Sequence, residues 1–132
     1  MIKFKYQLER VRGIYHPVAD VEFKSRDGEW IRTLLLIDSG ADVSLIPLSL
    51  GKLLMLESDE EKIQELCGLG QQAVPVIFRK MDIKIGKYVF EAEIGWALIE
   101  EVPPLLGRKD IFDLFHINFM QDKKIIEFKW IE

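Results

Sequence analysis

Residues 34–44 read Leu-Leu-Leu-Ile-Asp-Ser-Gly-Ala-Asp-Val-Ser, and this segment decides the predicted fold. Its first four residues are apolar on both faces, which is typical of a strand in the interior of a protein. The strand delivers Asp38, Ser39 and Gly40 into a tight turn, since Asp and Ser bond to nearby backbone and Gly lets another chain approach closely. Taken alone, Asp-Ser-Gly is ordinary turn chemistry, so its context along the chain decides what it does.

Most of the chain outside this segment predicts β-strands. Near the start, Ile2, Phe4 and Tyr6 alternate with polar residues, which is the period of a strand with one buried face. The pair Asp27-Gly28 is a strong signal for a hairpin between two strands. The predicted strands cover residues 2–8, 18–24, 29–37, 43–46, 63–66, 73–85 and 88–96, with a last strand around Ile126, Phe128 and Trp130.

Two short helices are predicted among the strands. The first follows Pro47, which suits the first position of a helix, and its leucines recur at roughly helical spacing. The second is predicted over residues 109–115. We therefore expect a mainly β chain, and its length of 132 residues fits one domain, 1–132.

The composition argues against several classes of protein. With 48% hydrophobic and 30% charged residues, the chain matches an ordinary soluble globular protein. The net charge of −4 and the scattered basic residues predict no nucleic-acid partner. No apolar run approaches a membrane span, and the start lacks the apolar stretch of a signal peptide, so no membrane contact is expected. The only cysteine, Cys67, allows no intrachain disulfide, which makes a cytoplasmic location the default.

Two further motifs follow the Asp-Ser-Gly turn. A predicted hairpin carries Gly68, Leu69 and Gly70 at its tip, which would make it a natural mobile lid. Downstream, Leu105-Leu106-Gly107-Arg108 leads into the second predicted helix, and such a segment can pack beside a catalytic strand and turn. In series, the three motifs resemble the retropepsin family, the single-domain aspartic proteases of retroviruses and their cellular relatives. The resemblance spans roughly residues 34–128.

The resemblance implies a fold and a set of site residues. The fold would be a closed, orthogonal β-barrel of the acid-protease type, with one or two short helices and a flap hairpin. Asp38 would be the catalytic aspartate, Ser39 would reach the other subunit, and Gly40 would meet the substrate backbone. A structural ion pair would join Asp42 to Arg108. The substrate-binding residues would be Gly40, Ala41, Asp42, Gly68, Leu69 and Gly70.

The chain departs from the family pattern directly after the arginine. Lys109 stands where the family usually has Asn or Asp, and Asp110 comes one residue later. This departure affects the expected start of the second helix, and it leaves the Asp-Ser-Gly turn unaffected.

An aspartic peptidase needs two carboxylates around one water, whereas this chain has a single Asp-Ser-Gly. Two ionised carboxylates ~3 Å apart repel by roughly 5 kcal/mol at an effective dielectric of ~20, so such a pair shares one proton over a broad pH range. A two-fold dimer would supply the second Asp38, with the terminal strands as candidate partners in an intersubunit sheet. The expected assembly is a homodimer that cleaves a polypeptide substrate without a metal or another cofactor.

Other chemistries find little support in the sequence. No cluster of Cys or carboxylates accompanies His16 or His116 at metal-ligand spacing, and Ser39 and Ser44 lack the His-Asp partner of a serine hydrolase. Two hypotheses remain: an active homodimeric aspartic endopeptidase, and a retropepsin-fold module for dimerisation or peptide binding with little or no turnover. The intact Asp-Ser-Gly-Ala favours the endopeptidase, because a binding module has no chemical need for the aspartate.

Overall fold

The computed structural model describes residues 1–67 and 73–132. Residues 68–72, which include the predicted hairpin-tip residues Gly68, Leu69 and Gly70, lie outside this description. Within the described ranges, the elements are β1 (Ile2–Lys5), β2 (Gln7–Glu9), β3 (Ile14–His16), β4 (Val18–Lys24), β5 (Trp30–Ile37), β6 (Ser44–Ile46), α1 (Leu48–Leu53), a 3-10 turn (Glu60–Lys62), β7 (Gln64–Cys67), β8 (Ala73–Ile85), β9 (Tyr88–Ala97), β10 (Leu105–Leu106), β11 (Phe115–Met120) and β12 (Ile125–Trp130).

Six of these strands close into a barrel. Their order is β4-β5-β10-β6-β9-β8, and β8 pairs back onto β4 where Phe23 faces Ile83. Neighbouring strands run antiparallel except for two parallel pairs, β5 with β10 and β6 with β9. Strand β7 adds to β8 as the second arm of a hairpin. The predicted mainly β barrel is confirmed.

Alternate residues of the barrel strands fill its interior, as the two-residue period of a strand requires. On β4, Ala19, Val21 and Phe23 are fully buried. On β5, Leu35 and Ile37 are buried, whereas Leu34 on the opposite face is 43% exposed. The expectation that both faces of this apolar run lie inside the fold is therefore wrong for Leu34. The face of β5 that carries Leu34 borders an open groove beside the β2–β3 hairpin, and no packed layer covers it there.

The first predicted helix is present as α1, and it packs closely on strand β9. The close approach depends on Gly51, because an added Cβ would lie 2.0 Å from Nε1 of the Trp96 indole. The same indole N–H donates to the carbonyl of Leu48, at 3.2 Å. Trp96 therefore fills the space that a larger residue at position 51 would need.

A second sheet, in the order β1-β12-β11, packs against the end of the barrel where β9 begins. Aromatic side chains form the contact. Phe115 meets the rings of Phe90, Phe128 and Trp130 edge-on, with centroids 5.7, 5.5 and 5.2 Å away. Trp130 also stacks on Tyr88 at 4.7 Å. These contacts join β11 and β12 to β9 of the barrel.

Two predicted elements are wrong in their details. The strand predicted over residues 2–8 divides at Tyr6, whose backbone N–H donates to the carbonyl of Lys124 at 2.9 Å, so that β1 joins β12 while β2 joins β3. The helix predicted over residues 109–115 is a series of turns that leads into β11. Asp110 has a φ of 64°, outside the right-handed helical region. Its carboxylate accepts the backbone N–H of Glu93 on β9, at 3.0 Å.

Candidate active site

The Asp-Ser-Gly turn is held between three strands of the barrel. Strand β5 ends at Ile37, the turn follows, and the chain re-enters the barrel in β6. The N–H of Asp38 donates to the carbonyl of Leu106 at 3.0 Å, which continues the parallel pairing of β5 with β10 beyond Ile37. The backbone of Asp38 is therefore fixed by the barrel, while its side chain stays partly exposed.

The carboxylate of Asp38 also orders its own turn. Its Oδ1 accepts the N–H of Gly40 at 2.9 Å, and its carbonyl accepts the N–H of Ala41 at 3.2 Å. A Cβ on Gly40 would lie 3.3 Å from the same Oδ1, so any larger residue would crowd the carboxylate. Ser39 and Asp42 are exposed on either side of this glycine and alanine.

Gly107 and Ser44 fasten the turn to the segment after β10. The buried hydroxyl of Ser44 accepts the N–H of Gly107 at 2.9 Å. A Cβ on Gly107 would meet the carbonyl oxygens of Val43 and Ala41 at 2.3 and 2.9 Å. Only glycine fits at position 107, because the neighbouring atoms belong to the backbone of residues 41 and 43 and cannot move away as the end of a flexible side chain can.

Ser44 was not among the residues predicted for the site. The available signal was a hydroxyl in an otherwise apolar strand, Val43-Ser44-Leu45-Ile46, where a buried polar group needs a hydrogen-bond partner. That partner lies 63 residues further along the chain. The sequence therefore indicates that Ser44 needs a hydrogen-bond partner, but it does not identify Gly107 as that partner.

The residues after Gly107 continue the attachment. The N–H groups of Arg108 and Lys109 donate to the carbonyls of Ala41 and Asp42, at 3.0 and 2.9 Å. The guanidinium of Arg108 forms an ion pair with the carboxylate of Asp42, and the two side chains are 53% and 84% exposed. Because the pair is exposed in the single chain, it contributes little to the stability of the fold by itself.

Lys109, which departs from the family pattern, has a partner of its own. Its ammonium group donates to the Glu93 carboxylate on β9 at 2.8 Å. This hydrogen bond raises the pKa of Lys109 above its ordinary value. Two bonds therefore hold the turns after Arg108 against β9: the one from Lys109 to the Glu93 carboxylate, and the one from the Glu93 N–H to the Asp110 carboxylate. No helix is needed for this attachment.

An open cleft of about 590 Å³ lies between the Asp38 turn and the β7–β8 hairpin. Asp38, Gly40, Ala41 and Asp42 line one part of it. Most of the remaining lining is apolar and comes from Val43, Leu45, Leu66, Val74 and Leu105, with Cys67 on the hairpin. The structure thus brings Asp38, Gly40, Ala41 and Asp42 to one cleft, with Arg108 bonded to Asp42, whereas Ser39 is exposed in the same turn and does not line the cleft. Gly68, Leu69 and Gly70 lie outside the described residues.

Among residues 1–67 and 73–132, no group of three or more His, Cys, Asp or Glu side chains is arranged to hold a metal ion. No helix in that part of the chain is long and apolar enough to cross a membrane.

Comparison with known proteins gives matches at the level of structure. Neither a protein-family model nor a curated protein matches the chain. A solved retropepsin-like aspartic protease from Rickettsia conorii is similar, with a TM-score of 0.64 at 14% sequence identity, over 96% of this chain and 98% of that one. The chain has the retropepsin-like fold.

A second similar structure is EIAV protease in complex with the inhibitor HBY-793. It has a TM-score of 0.56 at 22% identity, over 84% of this chain and 94% of that one. The Rickettsia conorii match covers 96% of this chain, so the retropepsin-like fold is not confined to a part of it. At these identities, the shared property is the fold, and the chemistry must be argued from the site.

Proposed function

We propose that the protein is a homodimeric aspartic endopeptidase, in which Asp38 of each chain holds and activates one shared water molecule. The observation that carries the proposal is the position of Asp38. Its carboxylate follows a strand whose inner face is buried, sits on a turn bonded to β10, and lines a largely apolar cleft. A carboxylate held in this way can meet the carbonyl of a peptide bound in the cleft. The names of the two similar structures support the same chemistry.

Hydrolysis would use two Asp38 carboxylates that share one proton. The ionised carboxylate takes a proton from the water as the water oxygen attacks the peptide carbonyl carbon. The protonated carboxyl donates its proton to the carbonyl oxygen, which gives a tetrahedral intermediate. Collapse of that intermediate breaks the C–N bond: the protonated carboxyl gives its proton to the departing nitrogen, while the ionised carboxylate takes a proton from a hydroxyl of the intermediate, which restores the shared proton. Repulsion between two ionised carboxylates, roughly 5 kcal/mol at ~3 Å and an effective dielectric of ~20, keeps one of them protonated.

Neighbouring residues are proposed to support this chemistry. Ser39 is exposed, so its hydroxyl can bond to the turn of the second chain. Gly40 keeps space open beside the carboxylate, and Ala41 and Asp42 line the cleft where a substrate backbone would lie. Gly68, Leu69 and Gly70 are proposed to cover the substrate as part of a flap, because β7 and β8 lead to them from the opposite wall of the cleft.

The cleft lining predicts the kind of peptide that would be cleaved. Leu45, Leu66, Val74 and Leu105 present an apolar wall within reach of Asp38. Burying an apolar side chain there is favourable, at about 25 cal/mol per Å² of surface removed from water. We therefore expect an apolar side chain beside the scissile bond.

Incubation with a mixed peptide library at several pH values, with and without the transition-state mimic pepstatin, tests the proposal. We expect cleavage between apolar residues that pepstatin suppresses. A chain that is verified as a dimer and cleaves nothing at any pH would contradict the proposal, and would favour a module that only dimerises or binds peptides.

The pH dependence gives a further prediction. Cleavage should be fastest at mildly acidic pH and should fall as the pH rises, because the second Asp38 carboxyl then loses the proton that it must donate. The measurement is the initial rate on one cleaved peptide across the pH range, with the dimer fraction measured at each pH. A rate that climbs steadily beyond about pH 8 would point to a different mechanism.

A further inference from the structure

Among the residues that the structure describes, and apart from aromatic ones, the buried polar residues are Ser25 and Ser44. Ser25 stands at the start of the turn between β4 and β5, where its hydroxyl donates to the carboxylate of Asp27. Ser44 is the first residue of β6, and none of its surface is exposed. Because a buried hydroxyl must find its hydrogen-bond partner inside the protein, the partner of Ser44 indicates what this side chain does.

The backbone of Ser44 is anchored in the barrel. Ser44 pairs with Ile94 of β9 in a parallel register, and the next residue, Leu45, pairs with Leu105 of β10. The hydroxyl of Ser44 then accepts the N–H of Gly107 at 2.9 Å. The hydroxyl is therefore a fixed point to which the chain after β10 is attached.

A single peptide group, which we call the linking peptide group, connects this hydroxyl to Asp38. It consists of the carbonyl of Leu106 and the N–H of Gly107. The N–H donates to Ser44, while the carbonyl accepts the N–H of Asp38 at 3.0 Å. In a planar trans peptide group the N–H and the C=O point in opposite directions, so Ser44 and Asp38 are bonded to opposite sides of it. A rotation that breaks the bond to Ser44 must also move the carbonyl to which Asp38 is bonded.

The surroundings make the bond to Ser44 difficult to replace. Ser44, Leu106 and Gly107 are all buried, so bulk water does not reach the linking peptide group from this side. Hydrogen bonds in series also polarise one another, which makes the Leu106 carbonyl a better acceptor while the Gly107 N–H is donating. Loss of the hydroxyl would therefore leave a buried N–H without its partner and weaken the bond on the far side of the same peptide group.

Other bonds hold the turn on either side of Asp38 but not at Asp38 itself. After it, the carbonyls of Ala41 and Asp42 accept N–H groups from the segment that follows Gly107. Before it, Ile37 donates to a carbonyl of the segment that precedes β4, at 2.9 Å. The N–H of Asp38 depends on the linking peptide group, and through it on Ser44.

We propose that Ser44 is a positioning residue for the reaction: its hydroxyl orients the linking peptide group, which in turn sets the position of Asp38. The effect on cleavage rests on the proposed function, whereas the connection from Ser44 to Asp38 does not. The inference gives a role in catalysis to a fully buried side chain that cannot touch the substrate.

Three variants test the effect on cleavage. Ser44→Ala removes the hydroxyl, Ser44→Thr keeps it, and Ser25→Ala removes the other buried serine hydroxyl as a matched control. Per active site titrated with pepstatin, Ser44→Ala should lower kcat about tenfold or more, because a displacement of about 1 Å at a catalytic group can cost ~10²-fold. Its KM should stay within about threefold of wild type, and Ser44→Thr and Ser25→Ala should keep kcat within about threefold. A role in stability alone would lower the number of titrated sites and leave kcat per site unchanged.

Amide hydrogen exchange, measured by NMR, tests the connection without any substrate. In Ser44→Ala the amide of Asp38 should exchange at least about threefold faster than in wild type, since the loss of one net hydrogen bond shifts an opening equilibrium by roughly two- to tenfold. The amide of Ile37 is bonded on the other side of β5, so it should exchange within about twofold of its wild-type rate. In Ser25→Ala both amides should exchange as in wild type.

The two proposals can fail separately. If Ser44→Ala keeps the wild-type kcat per site, or if its Asp38 amide exchanges as in wild type, the positioning role is overturned even when the wild type cleaves peptides. If the wild type cleaves nothing and the exchange at Asp38 rises in Ser44→Ala, the proposed function is overturned and the connection stands. Should Ser44→Ala not fold, Ser44→Cys replaces it, because a thiol has a similar shape and is a weak acceptor. A folded Ser44→Cys chain that matches wild type in both measurements would contradict the inference.

Discussion

Replacing Asp38 with Asn should lower the rate of peptide cleavage at least about 10⁴-fold, with folding and dimerisation largely intact. The dimer would lose both its general base and its general acid, each of which typically contributes ~10²–10⁴-fold. The side-chain oxygen of Asn can still accept the N–H of Gly40, so the turn keeps the bond that now spans 2.9 Å. The measurement is the turnover of a cleaved peptide by purified variant, together with its melting temperature and sedimentation coefficient.

Asp82 provides the matched control for this substitution. It is also a partly exposed aspartate, but it lies within β8 and does not line the cleft. Asp82→Asn should retain wild-type turnover. Asp38→Asn that keeps more than a trace of activity, with contamination by wild type excluded, would remove Asp38 from the catalytic role.

Replacing Gly107 with Ala should damage both the fold and the site. The added Cβ would lie 2.3 Å from the carbonyl oxygen of Val43 and 2.9 Å from that of Ala41, so the turn or the segment after β10 must shift. Overpacking of this kind typically costs ~1–3 kcal/mol of unfolding free energy. A displacement of about 1 Å at a catalytic group can cost ~10²-fold in rate, so we expect a comparable loss of turnover.

Gly95 offers a graded control for Gly107. Both glycines are buried, and neither lies among the glycines with positive φ. A Cβ on Gly95 would meet its nearest neighbours, Leu45 and the carbonyl of Ser44, at 3.3 Å. Gly95→Ala should therefore destabilise the chain less in a denaturant titration. Equal effects of the two substitutions would show that the close approach at Gly107 is not what fixes the turn.

The features that depend on local pattern were predictable from the sequence. The apolar residues before and after the Asp27-Gly28 turn predicted β4 and β5, and the bounds of β4 match the predicted residues 18–24. The helix after Pro47 and the long strand Ala73–Ile85 also follow from local signals. Such signals suffice where neighbouring residues decide the backbone conformation.

Features that depend on distant partners were not predictable. Asp110 leaves the helical region, and its carboxylate accepts an N–H from a residue 17 positions earlier in the chain. Tyr6 divides the first strand because its backbone bonds to Lys124, near the other end of the chain. The exposure of the Asp42–Arg108 ion pair depends on what packs around each of the two side chains, and the positions of the two residues in the sequence do not reveal it.

Mixing active and inactive subunits tests the central claim, that two chains share one active site. Wild-type chains are held at a fixed amount and mixed with Asp38→Asn chains under conditions where subunits exchange. If both Asp38 residues are needed, mixed dimers are inactive and each mutant chain sequesters a wild-type one. For random pairing in a two-fold dimer, an equal amount of mutant should leave about half of the activity, and a threefold excess about a quarter.

Dilution of wild type alone should give a matching result, because specific activity should fall once the concentration drops below the dimer dissociation constant. The mixing curve remains the more direct measurement, since it separates the need for two chains from the need for two aspartates. A decline that follows the wild-type fraction of all chains is the result that a shared pair of Asp38 carboxylates predicts. Activity that stays constant as mutant is added, with subunit exchange verified independently, would contradict it.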